Sequence, residues 1–232
     1  WGGVARDITA TKHLQSELTR QANHDPLTGL PNRLLLLRTA ADALEGIRST
    51  RNNVAILFMD VDRLKDVNDT VGHEIGDALL AQVANRISHA TRPSDVVARI
   101  GGDEFVVLCD GNIDEHTAVD LAERIRHSLS GRIMVHGVEV ELSVSVGVAV
   151  GLPAHLEGVS CQEAAIELLR NADIAMYQAK RRGRSRSELY TDAMRAESRH
   201  HKQLSNELER ALAAGQLRLA YQPIISTHSG RV

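Results

Sequence analysis

Aromatic residues are scarce. Trp1, three Tyr and two Phe make up 3% of the 232 residues. The core must therefore be assembled from Leu, Ile, Val and Ala, and so few rings argue against a base-stacking platform for nucleic acid. Cysteine is equally sparse: Cys109 and Cys161 form neither a disulfide framework nor a metal-binding spacing, which reads as two reduced thiols of a cytoplasmic protein. Neither sign of charge dominates. With 27 basic against 30 acidic side chains the net charge is −3, which argues against binding DNA through bulk charge. No apolar run approaches the ~18 residues of a membrane span, and no basic-apolar-small leader is present. The expected location is cytoplasmic, with tethering of a larger parent protein left open. What remains is 43% hydrophobic and 25% charged residues in a chain long enough for one large domain, or one domain with pieces of its neighbours.

The chain opens on Trp1 and closes on Gly230-Arg231-Val232 inside a β-like pattern, so it reads as a piece of a longer protein. Residues 1–10 resemble the last strand of a preceding domain. Residues 11–24 read as a polar linker helix whose Leu14 and Leu18 lie on one face, a stripe suited to pairing with a second copy. Periodicity then predicts a helix over 32–48, a buried strand over 53–60, a short helix at 64–68 and an amphipathic helix over 72–90. A hairpin of strands 96–100 and 105–109 follows, then a helix over 113–130. Next come a second hairpin turning at His136-Gly137, a strongly alternating strand over 140–150, and a helix that starts at the capping box Ser160-x-x-Glu163 and ends near Gly183. A short strand at 187–190, a helix over 192–215 and a new strand at 217–225 complete the pattern. The order β-α-α-β-β-α-β-β-α-β from Val54 predicts an α/β (α+β) sandwich. Its central, mostly antiparallel sheet is flanked by helices in a ferredoxin-like layout, with an antiparallel hairpin at its centre.

Three groups of residues carry possible chemistry. Asp60 ends the apolar run NVAILFM, where a carboxylate needs a partner. Asp103 and Glu104 form the tip of a Gly-Gly hairpin, so carboxylates on neighbouring strands have the oxygen chemistry to share one Mg²⁺. Taken alone, Asp103 and Glu104 read as a solvated turn. Asn68 and Asp77 have the acceptors to read a guanine edge, or they cap helices. Lys65 is a phosphate-binding candidate or a surface lysine. Lys180 and Arg184, one turn apart near a helix C-terminus, clamp phosphate, complement the helix dipole, or belong to a nucleic-acid patch, the last weakened by the lack of nearby aromatics.

The sequence Arg99-Ile-Gly-Gly-Asp-Glu-Phe105 resembles the signature of the GGDEF family of diguanylate cyclases. DPLTGLPNR at 25–33, FMDVDRLKDVNDTVGHEIGDALL at 58–80 and ADIAMYQAKRRGR at 172–184 repeat that family's blocks in order and spacing. The resemblance implies a nucleotidyl-cyclase palm core that joins two GTP into cyclic di-GMP and releases two pyrophosphates. It implies Mg²⁺, with Mn²⁺ as an alternative, held by Asp60, the Val61 carbonyl and Asp103, with Glu104 as a second-metal or supporting residue. Asp103 would also assist deprotonation of the attacking 3′-hydroxyl. Asn68 and Asp77 would read guanine, and Lys65, Lys180 and Arg184 would neutralise phosphate. Arg92-Pro-Ser-Asp95 matches the family's product-inhibition pattern, or is simply a turn containing proline.

Product formation would need two domains face to face, so a homodimer is expected. GVARDIT at 3–9 resembles the end of a PAS sensor domain, and LSNELERALAAGQLRLAYQPI at 204–224 resembles the start of an EAL phosphodiesterase domain. The expected organisation is a sensor tail at 1–10, a linker at 11–24, a cyclase domain at 25–190 and the start of an EAL domain at 191–232. The competing expectation is a catalytically silent module that binds GTP or cyclic di-GMP and controls the adjacent phosphodiesterase.

Overall fold

The structure is a computed structural model that describes residues 17–18, 20–50, 52–111, 113–216, 218, 220 and 228. The expected strands at 1–10 and 217–225 and the position of Leu14 fall outside them, apart from isolated residues. The chain divides into two units, Trp1–Met194 and Arg195–Val232. The first contains α1 (Arg33–Thr50), β1 (Val54–Val61), α2 (Leu64–Val71), α3 (His73–Ala90), β2 (Val96–Gly101) and β3 (Glu104–Cys109). After these come α4 (Glu115–Ser128), β4 (Gly131–Val135), β5 (Val138–Leu142), β6 (Val144–Gly151), a 3₁₀ turn, α5 (Cys161–Arg181) and β7 (Ser187–Leu189). Helix α6 (Asp192–Ala213) runs into the second unit. There it closes on Gly215, whose left-handed backbone (φ 63°) lets Gln216 N–H donate to the Ala211 carbonyl.

The five-stranded sheet has the order β2-β3-β1-β6-β7. Every pairing is antiparallel except β6 with β7, which α5 connects as a crossover. The β2–β3 hairpin is therefore at one edge, not the centre, because β1 inserts between it and β6. The expected single strand over 140–150 is also divided. Residues 138–142 turn back on β4 as a separate two-stranded sheet, and β6 begins beyond Ser143.

All eight residues of β1 are buried, as its uninterrupted apolar run requires. Alternation sorts them between two layers. Ala55, Leu57, Met59 and Val61 pack with α3 and α4, while Val54, Ile56 and Phe58 pack with α1 and α5. Strand β6 is likewise buried on both faces, so its alternation is one of size rather than polarity. Val144, Val146 and Val148 join the α3–α4 layer, whereas Ser145, Gly147, Ala149 and Gly151 present almost no side chain to α5. A Cβ at Gly147 would overlap the backbone of Ala172 and Met176. The small face thus lets α5 lie against the sheet backbone. Ser160 and Glu163 cap the start of that helix reciprocally.

Gly147→Ala should destabilise the domain by on the order of 3 kcal/mol, because helix and strand backbones cannot both yield. Gly46→Ala, exposed in α1 with open space around the new methyl, should instead stabilise by about 0.5–1 kcal/mol. Urea unfolding of both variants checks the contrast. Equal midpoints for the two would contradict the close approach of α5.

Candidate functional site

The carboxyl end of β1 gathers the chemistry. Asp60 is only 4% exposed and continues the α5-facing series Val54, Ile56, Phe58. It sits opposite Glu104 on one side and Ser145 on the other. The partner it requires is Lys180, near the end of α5, whose Nζ lies 2.6 Å from Asp60 Oδ2. Burial pushes the Asp60 carboxyl up to about 6; Lys180 opposes the rise, and the nearby Asp103 and Asp62 carboxylates add to it. Glu104 is also raised, first by burial and then by Asp173 and Asp103.

The hairpin tip is built, not merely solvated. Val61 N–H donates to the Asp103 carbonyl at 3.1 Å, pinning the tip to the end of β1. Arg99, 8% exposed, donates from Nε and Nη2 to the Gly102 carbonyl and from Nη1 to Asp25 Oδ1 at 2.9 Å. Asp25 in turn accepts from the backbone and hydroxyl of Thr28. Burial raises the Asp25 carboxyl, but the Thr28 and Arg99 hydrogen bonds outweigh it and hold the group below its usual range. Gly102 has φ 53°, a conformation that favours glycine, and the space where its side chain would stand is open.

Arg184 differs from expectation. Helix α5 ends at Arg181, so Arg184 is not one helical turn from Lys180 but in a left-handed position (φ 63°) of the following loop, its N–H donating to the Ala179 carbonyl. That loop is held by Asp62, which the sequence reading passed over. The Asp62 side chain is 1% exposed and accepts from Ser143 Oγ, Ser145 Oγ and Ser185 N–H, with Arg184 Nε 4.0 Å away. Asp62 and Arg184 line a cavity of about 500 Å³ together with Arg63, Asp66, Gly183 and Ser185. The available sequence signal was the i,i+2 spacing of Asp60 and Asp62, which puts both on one face. Asp173 was missed too. It lies one turn of helix before Tyr177 with the residue exposed, and partial desolvation raises its carboxyl against the opposing pull of Lys180 and Arg33.

Lys65, exposed on the first turn of α2, and Asn68, on its last turn, come next after β1, and Asp77 lies in α3. Neither Asn68 nor Asp77 caps a helix through its side chain; the caps are Arg63 and Gly72, with no side-chain hydrogen bond. Asp77 is exposed, and Asn68 Oδ1 is buried without a hydrogen-bond partner. Arg92 and Asp95 stand apart from this group. They form the turn before β2, where Asp95 Oδ2 accepts from Arg92 N–H at 2.8 Å. With Cys109 and Arg124 they line a second cavity of about 280 Å³, at the opposite end of β3 from Glu104.

The donors at the end of β1 suit a hard divalent ion, since Asp60, Asp103 and the Val61 carbonyl all offer oxygen. Among the described residues no group of three or more His, Cys, Asp and Glu side chains is arranged to hold a metal. An ion such as Mg²⁺ takes one or two carboxylates and completes its shell with water and phosphate. The raised Asp60 carboxyl has a measurable consequence. The folded state holds this proton more tightly than the unfolded chain, so this group's contribution to stability falls as pH rises from about 4 to 6. The loss is on the order of 2 kcal/mol. Denaturant unfolding across pH 4–7 without divalent ions should show this decline in the native chain, and Asp60→Asn should remove it. A parallel profile in the variant would contradict the assignment.

A family model described as diguanylate cyclase, GGDEF domain matches residues 22–186. The chain is 38% identical over 226 residues to the bifunctional diguanylate cyclase/cyclic di-GMP phosphodiesterase MucR of Pseudomonas aeruginosa, covering 96% of the chain and 31% of that protein. It is 37% identical over 220 residues to the cyclic di-GMP phosphodiesterase NbdA of the same organism, covering 95% of the chain and 27% of that protein. The chain thus spans less than a third of the length of these relatives. Among solved structures, the isolated GGDEF domain of TpbB from Pseudomonas aeruginosa superposes with a TM-score of 0.69 at 36% identity, over 76% of this chain and 99% of that one. No helix among the described residues is long and apolar enough to cross a membrane. On the match over residues 22–186, and on a fold shared with the TpbB domain, the chain belongs to the GGDEF family of diguanylate cyclase domains.

Proposed function

We propose that this chain is an active diguanylate cyclase, joining two GTP into cyclic di-GMP with loss of two pyrophosphates. The observation that supports it most is the gathering of Asp60, Glu104 and the pinned Asp103 tip around Lys180, beneath an open two-glycine turn. Asp60, Asp103 and the Val61 carbonyl would hold Mg²⁺ or Mn²⁺, with Glu104 in support. When bound, the ion neutralises charge on the phosphoryl oxygens and the leaving pyrophosphate. Lys65, Lys180 and Arg184 add positive charge along the triphosphate. Asn68 and Asp77 accept hydrogen bonds from the guanine edge, which adenine does not match. Asp103 takes the proton as the 3′-oxygen of one GTP attacks the α-phosphorus of the other.

Each domain holds one GTP, so turnover needs a homodimer, whose geometry the helix before Asp25 sets. Leu18 in that helix is 64% exposed and available for pairing. The flanks are assigned as a PAS-like tail at 1–10, a linker at 11–24 and the beginning of an EAL domain at 191–232, around a cyclase domain at 25–190. A second function remains in view because NbdA is named for phosphodiesterase activity alone: a silent module that binds GTP or cyclic di-GMP and controls the adjoining phosphodiesterase.

Incubation of the chain with GTP and Mg²⁺ should yield cyclic di-GMP, and Asp103→Asn should lower the rate by roughly 100-fold or more. GTP binding without product, at concentrations where the chain is dimeric, would reject the cyclase and favour the silent module. Arg92 and Asp95 form a product site in which Arg stacks on guanine and Asp accepts from its N1–H and N2–H₂ edge. Added cyclic di-GMP should slow turnover, and Arg92→Ala should relieve the inhibition. Equal inhibition of the variant would remove Arg92 from that site.

A further inference from the structure

Gly76 stands in the second turn of α3 with ordinary helical backbone; it is absent from the glycines of positive φ. No turn or left-handed conformation therefore calls for glycine, and glycine destabilises a helix interior relative to alanine. What the position does lack is room. A Cβ at Gly76 would overlap Asn68 Oδ1 outright and lie 3.0 Å from Asn68 Cγ and 3.5 Å from Nδ2, so the three nearest atoms all belong to one amide. Asn68 is on the last turn of α2, its own carbonyl accepting the Gly72 N–H that closes that helix. Its amide carbonyl thus points at the space a Gly76 Cβ would take, with Oδ1 buried and unpartnered. An amide retained only for the fold would be satisfied by it, because stripping an acceptor of water without replacing the hydrogen bond is costly. The next residue, Asp77, is exposed beside it.

We infer that Gly76 is a positioning residue for base recognition. By having no side chain, it lets the Asn68 amide lie at the α2–α3 joint in the pose that meets a guanine edge together with Asp77. The inference rests on the guanine-reading role proposed above for Asn68 and Asp77. A methyl at position 76 leaves both helices intact, since the atoms it strikes are the far end of a side chain that can rotate away. What is lost is the placement of the amide. Gly76 therefore sets selectivity between bases without itself touching one.

The test is calorimetric titration of the 232-residue chain with Mg²⁺ and the α,β-methylene analogues of GTP and ATP, which do not release pyrophosphate. Gly76→Ala should weaken binding of the guanine analogue about tenfold while leaving the adenine analogue within about twofold, and its melting temperature should equal or exceed that of the native chain. In the Asn68→Ala background the same substitution should cost nothing further, because the amide it displaces is gone. Native affinity in Gly76→Ala beside a loss in Asn68→Ala would overturn the positioning role and leave the guanine assignment standing. So would additive losses in the double variant. Native affinity in both Asn68→Ala and Asp77→Ala would instead remove the guanine assignment, and the inference with it. Should Gly76→Ala fail to fold, recovery of folding in the double variant would support the clash with Asn68. Failure of both would overturn it and assign the glycine to helix packing.

Discussion

A carboxylate placed at the end of a fully buried strand is the constraint on which the rest of this domain depends. Asp60 is in a position where an ionised group is penalised, and its 2.6 Å pair with Lys180 is the main compensation the protein offers. Lys180 reaches Asp60 only because α5 lies directly on β6, and α5 lies there only because Ser145, Gly147, Ala149 and Gly151 keep that face of the strand nearly flat. The small residues of β6 are thus part of the site although none of them carries its chemistry. The same face supplies Ser145, whose hydroxyl reaches Asp62 and steadies the loop of Arg184.

The second anchor works from the opposite side. Arg99 spans the tip of the β2–β3 hairpin and the turn that begins at Asp25, gripping the Gly102 carbonyl with two nitrogens and Asp25 with a third. Pro31 reinforces the link, its carbonyl accepting from Arg99 N–H. Because both partners of the Arg99–Asp25 pair are largely shielded, it is stiffer than a surface ion pair and less open to screening by salt. The Asp103 carbonyl is fixed by β1 and the Gly102 carbonyl by Arg99. The two glycines are therefore held open, rather than left loose, above the carboxylates.

Much of this was legible in the sequence, and the exceptions have physical causes. The element order outside 138–151, the capping box at Ser160 and the buried strand that carries Asp60 follow from local pattern and are found as expected. The hairpin's place at the edge was not, because strand order is decided by which apolar faces meet, and Leu, Ile and Val do not label their partners. The division of 138–151 into two strands escaped for a related reason. Alternation of valine with small residues resembles a half-buried strand, yet in β6 both faces are covered. Asp60, Asp103, Glu104 and Lys180 were identifiable by position in the motifs. Asp62 and Arg99 were not, since Asp62 bonds to segments more than eighty residues away and Arg99 ties the nearby Gly102 carbonyl to Asp25, seventy-four residues distant.

Asn68 and Asp60 have one property in common. Each is a polar group held by the fold in a condition the fold alone leaves unsatisfied: an acceptor without a donor in one case, a proton bound too tightly in the other. A stable domain without a ligand would replace both by apolar residues of similar volume and gain by it. Under the proposed function both conditions are relieved by one ligand, which would offer donors to the Asn68 amide in α2 and draw a cation to the Asp60 carboxylate near the end of β1. A purine nucleoside triphosphate with its divalent ion has that polarity, base first and phosphates last. The order of residues 60 to 77 along the chain is the reverse order of the groups they would meet.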